Sequence, residues 1–196
     1  VRYAPGSAFT PHTHGGGEEF IVLNGVFSDE HGDYPAGSYI RNPPTTSHSP
    51  RSVPGCIIFV KLWQFDPADR TEVVVDMNRL ARTKDPLRPG IEVARLFEDV
   101  RETVELQIWQ PGSRLDENLP GGAELLVLQG SLTELGDELT SMSWLRLPCG
   151  ATLRAQAGPQ GARVWLKAGH LRFAGAQGAP VLNVAALGMV AASKGV

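Results

Sequence analysis

The stretch that decides the fold reads Gly6-Ser7-Ala8-Phe9-Thr10-Pro11-His12-Thr13-His14-Gly15-Gly16-Gly17-Glu18-Glu19-Phe20-Ile21-Val22-Leu23-Asn24-Gly25. On an extended strand residues i and i+2 share a face, so the imidazoles of His12 and His14 converge on one point. Gly15, Gly16 and Gly17 permit a sharp reversal, and the apolar run from Phe20 reads as a strand that brings Glu18 back beside the histidines. Glu19 is the competing carboxylate; its plain reading is a solvated strand residue. Downstream, the turn Pro35-Ala36-Gly37 and the approach Asn42-Pro43-Pro44-Thr45-Thr46-Ser47 lead to His48. Three neutral nitrogens and one carboxylate oxygen suit a borderline divalent cation such as zinc, iron, manganese or nickel.

The same stretch recurs in outline farther along. Pro5-Gly6-Ser7 matches Pro111-Gly112-Ser113, and Gly15-Gly16 matches Gly121-Gly122. Glu19 faces Glu124, Val22-Leu23 with Gly25 faces Val127-Leu128 with Gly130, and Tyr39, Arg41 and Pro43 face Trp144, Arg146 and Pro148. Gly55 and Lys61 face Gly161 and Lys167, so the offset holds at 105 or 106. Two copies of one unit are expected: residues 1–68 and 89–175, joined by a linker over 69–88 and followed by a tail over 176–196. Each unit reads as short strands punctuated by Gly and Pro, and the best short helix candidate is 76–84 in the linker. The second copy has a strand-like lead over 90–98 before its Pro-Gly-Ser, whereas the first begins four residues before its own. A matching strand is therefore expected upstream of Val1 or from Val73-Val74-Val75. A chain that opens on Val rather than Met reads as a processed or truncated product.

In the second copy His12 becomes Asn118, His14 becomes Pro120, Glu18 becomes Ala123 and His48 becomes Leu153. No metal site is expected there; a partner barrel with a structural role is. His170 reads as a surface residue at a strand end, and His31 as part of a hairpin turn.

Composition narrows the class. The 22 Gly and 15 Pro are about a fifth of the chain, against roughly 12% in average usage. A net charge of −3 with scattered Lys and Arg argues against non-specific binding to nucleic acid or an anionic membrane. The longest apolar run is Cys56-Ile57-Ile58-Phe59-Val60, and the apolar stretch 179–192 is broken by Asn183 and Gly188 and falls short of the roughly 18 residues of a membrane span. A soluble, cytoplasmic protein is expected. Cys56 and Cys149 form no disulfide framework and read as small buried hydrophobes.

Residues 6–25 fit Gly-x5-His-x-His-x3-Glu-x6-Gly without a mismatch, and Pro35-Ala36-Gly37 with His48 is similar to a second motif with a longer gap. These residues resemble the cupin superfamily. The resemblance implies an all-β fold of two tandem jelly-roll β-barrels, with His12, His14, Glu18 and His48 as ligands; the spacing to Gly25 favours Glu18 over Glu19. More narrowly, residues 1 to about 66 are similar to the ChrR-type cupin, the C-terminal module of zinc-containing anti-sigma factors that answer singlet-oxygen stress. That implies one divalent metal per chain, zinc ahead of iron, manganese or nickel, and a regulatory role. The same subfamily includes stand-alone proteins similar to an acetylacetone-cleaving dioxygenase. The family's sigma-binding helices and His-x3-Cys-x2-Cys motif do not occur in this sequence, so sigma binding by that route is not expected. The partner is an unnamed protein or small molecule, with a homodimer as a further expectation. A substrate pocket would draw on Tyr3, Phe9, Phe20, Tyr39, Arg41, Phe59 and Trp63.

Overall fold

A computed structural model describes residues 1–174; the tail expected over 176–196 lies outside the described residues. The first unit comprises β1 (Arg2–Tyr3), β2 (Ser7–Ala8), β3 (His12–Thr13), β4 (Glu18–Ser28), β5 (Asp33–Pro35), β6 (Ser38–Asn42), β7 (Ser47–His48), β8 (Arg51–Ser52) and β9 (Cys56–Leu62). After β10 (Val73–Asp76) and β11 (Thr83–Lys84) come β12 (Ile91–Glu98), β13 (Thr103–Trp109), β14 (Arg114–Leu119), β15 (Ala123–Glu134), β16 (Asp137–Thr140), β17 (Trp144–Leu147) and β18 (Ala151–Ala168). A 3₁₀ turn, His170–Phe173, ends the described chain. The fold is all-β, two jelly-roll barrels in tandem.

The order β1-β9-β4-β6-β10 forms the main sheet of the first unit, and β11-β12-β13-β18-β15-β16 that of the second. A short ribbon, β3 with β7, stands apart from both and sets His12 opposite His48. The linker is used as edge strands rather than as a helix. Asp76 Oδ1 accepts from the Asn78 amide, turning the chain just where the helix was expected to start. Val73, Val74 and Val75 pair with Arg41, Ile40 and Tyr39 on the β6 edge, not beside β1, the place that corresponds to β12 against β13 in the second copy.

The repeat is a matter of backbone constraint. Gly25 and Gly130 have φ of +74° and +73°, and a Cβ on either would stand 2.0 Å from the carbonyl oxygen of Gly55 or Gly161. No side chain fits where two chain segments approach that closely.

Strand alternation makes three cores. Phe20, Val22, Phe27, Ile40, Cys56 and Ile58 fill the first barrel. Ile91, Leu115, Leu125, Leu153 and Val164 are among those filling the second. Ile21, Tyr39, Met77, Leu106, Leu126 and Trp165 form a third core, between the units.

That third core holds buried charge. Glu19 and Lys61 are neighbours across β4 and β9, as Glu124 and Lys167 are across β15 and β18. Yet the ion pairs cross over: Lys167 Nζ lies 2.6 Å from Glu19 Oε2, 148 residues away in sequence, and Lys61 Nζ meets Glu124 Oε2. Each unit's lysine thus finds the other unit's glutamate, the pattern of an isologous dimer fused into one chain. Glu19, expected in solvent, is 1% exposed. Burial alone would raise its pKa, but Lys167, Lys61 and the Tyr39 hydroxyl, 2.5 Å from Oε1, hold it below the usual carboxylate range. His170, expected on the surface, is buried as well; its Nε2–H donates to Glu124 Oε2 at 2.9 Å. Cys56 is buried as expected, whereas Cys149 is exposed. Among the described residues no helix is long and apolar enough to cross a membrane.

Candidate metal centre

The ribbon and the start of β4 bring His12, His14, Glu18 and His48 together, with one ligand atom from each lying within 4.8 Å of all the others. Three outside contacts fix the imidazoles. His12 Nδ1–H donates to the Thr10 carbonyl at 3.1 Å, and His48 Nδ1–H to Asp29 Oδ2 at 3.2 Å. Thr46 Oγ1 spends its own proton on the Pro43 carbonyl, so at 2.9 Å it accepts from His14 Nδ1–H. With each Nδ1 protonated, the three Nε2 lone pairs are left for the centre of the cluster.

The donor set fits a divalent cation. His14 Nε2, His48 Nε2 and Glu18 Oε1 are buried and have no hydrogen-bond partner, a costly state unless something accepts their lone pairs. Glu18 Oε1 stands 3.5 Å from His14 Nε2 and 3.6 Å from His48 Nε2. Two ligands on metal bonds of about 2.1 Å in tetrahedral arrangement stand about 3.4 Å apart. Burial, then the neighbouring His48 and His12, push His14 down to about 4, and burial also lowers His48 against the pull of Asp29. Both imidazoles are therefore neutral, the form that ligates. Burial and the Asp29 charge push Glu18 up to about 7, opposed by a hydrogen bond from Asn42.

Asp29 escaped the sequence reading, which took the neighbouring His31 only as part of a hairpin turn. It is buried, accepts from the amides of His31 and Gly32 through Oδ1, and holds His48 through Oδ2. The turn residue therefore also orients a candidate ligand. A turn signal followed nineteen residues later by a histidine carries no mark of that contact.

Of the expected pocket residues, three belong beneath the histidines. Tyr3 packs on Phe9 and Phe27 with ring centroids 4.9 and 5.7 Å apart, Phe20 lies 4.6 Å from Phe27, and Phe27 lies 5.7 Å from the His48 ring. Tyr39, Arg41 and Phe59 point to the opposite face. Period-two alternation puts them with Glu19, not Glu18: Tyr39 donates to Glu19, Arg41 meets Asp69 of the linker and Glu102 of the second unit, and Phe59 packs on Trp165 of the second unit. Trp63 covers the glycine turn, where a Cβ on Gly16 would meet its ring at 2.3 Å. In the second barrel Ala123 and Leu153, the counterparts of Glu18 and His48, are core residues, and Asn118 and Pro120 are exposed.

Residues 1–66 match the family model of the ChrR cupin-like domain. The first barrel is cupin-like. Solved structures that align with most of the chain share its fold. A candidate dioxygenase from Nostoc punctiforme aligns with a TM-score of 0.71 at 15% identity, over 87% of this chain and 68% of that one. Salicylate 1,2-dioxygenase from Pseudaminobacter salicylatoxidans gives 0.62 at 11% identity, over 88% and 70%. Oxalate decarboxylase from Lactobacillus farciminis gives 0.62 at 13%, over 86% and 75%. No curated protein sequence matches the chain.

Proposed function

We propose that this bicupin binds one divalent metal per chain, zinc, through His12, His14, Glu18 and His48, and that the first barrel is a regulatory module of the ChrR type. The observation that carries the metal is the set of buried, partnerless ligand atoms facing one point. Zinc supplies charge and geometry there but no redox chemistry. The regulatory reading rests on what the ligands hold. β3 and β7 pair only with each other, and beyond His14 N to Thr46 O at 2.8 Å and Thr45 N to His14 O at 2.9 Å little backbone pairing ties the ribbon down. Glu18, on the main sheet, is then the anchor that metal would join to the ribbon. Loss of metal frees residues 10–14 and 45–48, and a partner can read that change. The aromatic cluster of Tyr3, Phe9, Phe20 and Phe27 occupies the barrel beneath, where an enzyme of this shape would need room for substrate.

Elemental analysis of protein purified without a metal-affinity step, beside a His12→Ala/His14→Ala control, tests the reading. About one zinc per chain, lost in the control, supports it, as does faster amide exchange in 10–14 and 45–48 after chelation. No metal in the wild type overturns it. One observation favours a dioxygenase instead: His12 is exposed, which leaves one side of the centre open to an outside ligand. Iron or manganese in the same assay would transfer the weight to that reading and to a screen of small oxidisable substrates.

A further inference from the structure

Between the units, where β4 passes β15, lies a cavity of about 270 Å³, and none of the four clustered residues lines it. Roughly nine liquid-water volumes fit in it. Ile21, Leu23, Met77 and Leu128 give it apolar walls, and the charged side chain in its lining is Arg163. The other polar side chains there include Asn78 and Ser141, and both are committed: Asn78 Nδ2 donates to the Ala36 carbonyl at 3.2 Å, and Ser141 Oγ to the Leu128 carbonyl at 3.0 Å. Arg163 is not. Its Nε is buried without an acceptor, and among the described residues its guanidinium makes no ion pair. Burial, and after it Arg82, disfavour its charge, with Asp76 opposing. A guanidinium stays charged regardless, so the half-buried Arg163 brings to the cavity a positive charge that has no ion-pair partner among the described residues.

The repeat makes the asymmetry conspicuous. Ala36-Gly37 and Ser141-Met142 are counterparts at an offset of 105, and both pairs line the cavity. The backbones agree: the Gly37 amide donates to Val22 O and the Met142 amide to Val127 O, each at 2.8 Å. The side chains do not. Where the first copy has Gly37, the second places Met142 in the left-handed region at φ +74°, a strained choice for a side chain. Where the first copy has Ile57, the second has Arg163. Both departures fall in the lining of one cavity.

We propose that this cavity binds a small amphipathic monocarboxylate, its carboxylate on Arg163 and its apolar body against Leu23, Met77 and Leu128. An arginine fork matches a carboxylate in shape and charge, and an apolar pocket with one placed charge is the usual plan of a small-ligand site. The site stands apart from the metal centre and is independent of what that centre does.

Calorimetric titration with sodium benzoate, with benzamide as the neutral isostere, tests this. The His12→Ala/His14→Ala protein is titrated alongside, since a carboxylate can also coordinate a metal. Expected are one saturable benzoate site per chain at millimolar affinity or tighter, retained in the histidine variant, and benzamide binding at least about tenfold weaker. Arg163→Met should weaken benzoate by a similar factor. Ala36→Phe, which fills the cavity while leaving the guanidinium, should abolish binding, and it decides the matter if Arg163→Met proves misfolded by circular dichroism. Absence of saturable benzoate binding overturns the proposal. So does unchanged affinity in Arg163→Met or Ala36→Phe, or loss of the site with the histidines.

Discussion

Replacing Lys167 by Met should be among the most damaging single changes the chain can suffer. Lys167 is fully buried, 2.6 Å from Glu19 Oε2 and 3.0 Å from Glu102 Oε1. Burial would lower its pKa, but the two carboxylates more than offset this and hold it above the usual lysine value. Methionine keeps the apolar stem and deletes the charge, so Glu19 and Glu102 would face each other in the third core. Glu102 retains Arg41, at 3.4 Å, and Glu19 the Tyr39 hydroxyl and the attraction of Lys61. Breaking a buried pair from one side costs about 3–5 kcal/mol, because it strands the other charge. For a chain of this size that is roughly 6–20 °C in Tm. The double variant Lys167→Met/Glu19→Gln removes the stranded charge and leaves an amide oxygen for Tyr39, so it should recover about 1–2 kcal/mol of the loss. Urea unfolding followed by circular dichroism measures both. A Lys167→Met protein within about 1 kcal/mol of wild type, or a double variant whose losses simply add, would refute the argument that the crossed ion pairs bind the units together.

Three further outcomes follow from named contacts. Gly25→Ala should cost about 2 kcal/mol or more by thermal melting, since it adds left-handed strain and places a Cβ against the Gly55 oxygen. Asp29→Asn keeps the turn but weakens the hold on His48 Nδ1, so zinc affinity by chelator competition should fall about 10–100-fold with the melting profile of the metal-free protein little changed. His170 is held neutral by burial and by Lys61, with its pKa far below the ordinary histidine value. The unfolded chain takes up a proton near pH 6.5 that the folded chain refuses, so stability falls as pH drops below about 6.5, by up to about 1.4 kcal/mol per unit. His170→Gln should flatten that part of the profile; an unchanged slope would contradict the assignment.

The repeat could be read from sequence because its matched residues sit under hard constraints. Gly25 with Gly55, and Gly130 with Gly161, are places where one backbone segment touches another, and such a constraint writes the same residue twice. The clustering of the histidines with Glu18 was legible for a similar reason: strand parity and one glycine reversal bring His12, His14 and Glu18 together. The third core was not legible. Parity says that Glu19, Tyr39, Arg41, Phe59 and Lys61 share a face, but a face carrying two cations and a carboxylate reads as solvated unless its cover is known. Its cover is the second copy, and the ion partners lie far off in sequence: Lys167 is 148 residues from Glu19, and Glu124, not a neighbour in the first unit, is the partner of Lys61. The helix expected over 76–84 failed on Asp76, whose side chain turns the backbone and leaves the valines before it to pair with β6.

The two copies share their ion pairs on the face where they meet and disagree at the mouths of the barrels, and this bears on whether the second barrel could be made to bind metal. Glu19, Lys61, Glu124 and Lys167 are the same two residue types at the same two places, because each is the other unit's partner. At the mouths, Glu18 and His48 are answered by Ala123 and Leu153, which are 1% exposed and packed in the core of the second barrel. Writing the ligands back at these two positions would therefore bury an imidazole and a carboxyl among Leu119, Leu125 and Val127 with no Asp29 to orient the imidazole. Pro120, where the first copy has His14, supplies no donor at all. Ala123→Glu/Leu153→His should lose about 2–5 kcal/mol of stability from lost packing and unsatisfied polar groups, and added zinc should restore little of it. Melting with and without zinc, together with elemental analysis, reads both quantities. A second equivalent of metal per chain in that variant would show that the barrel framework alone, rather than Asp29, Thr46 and the histidine ribbon, makes the centre.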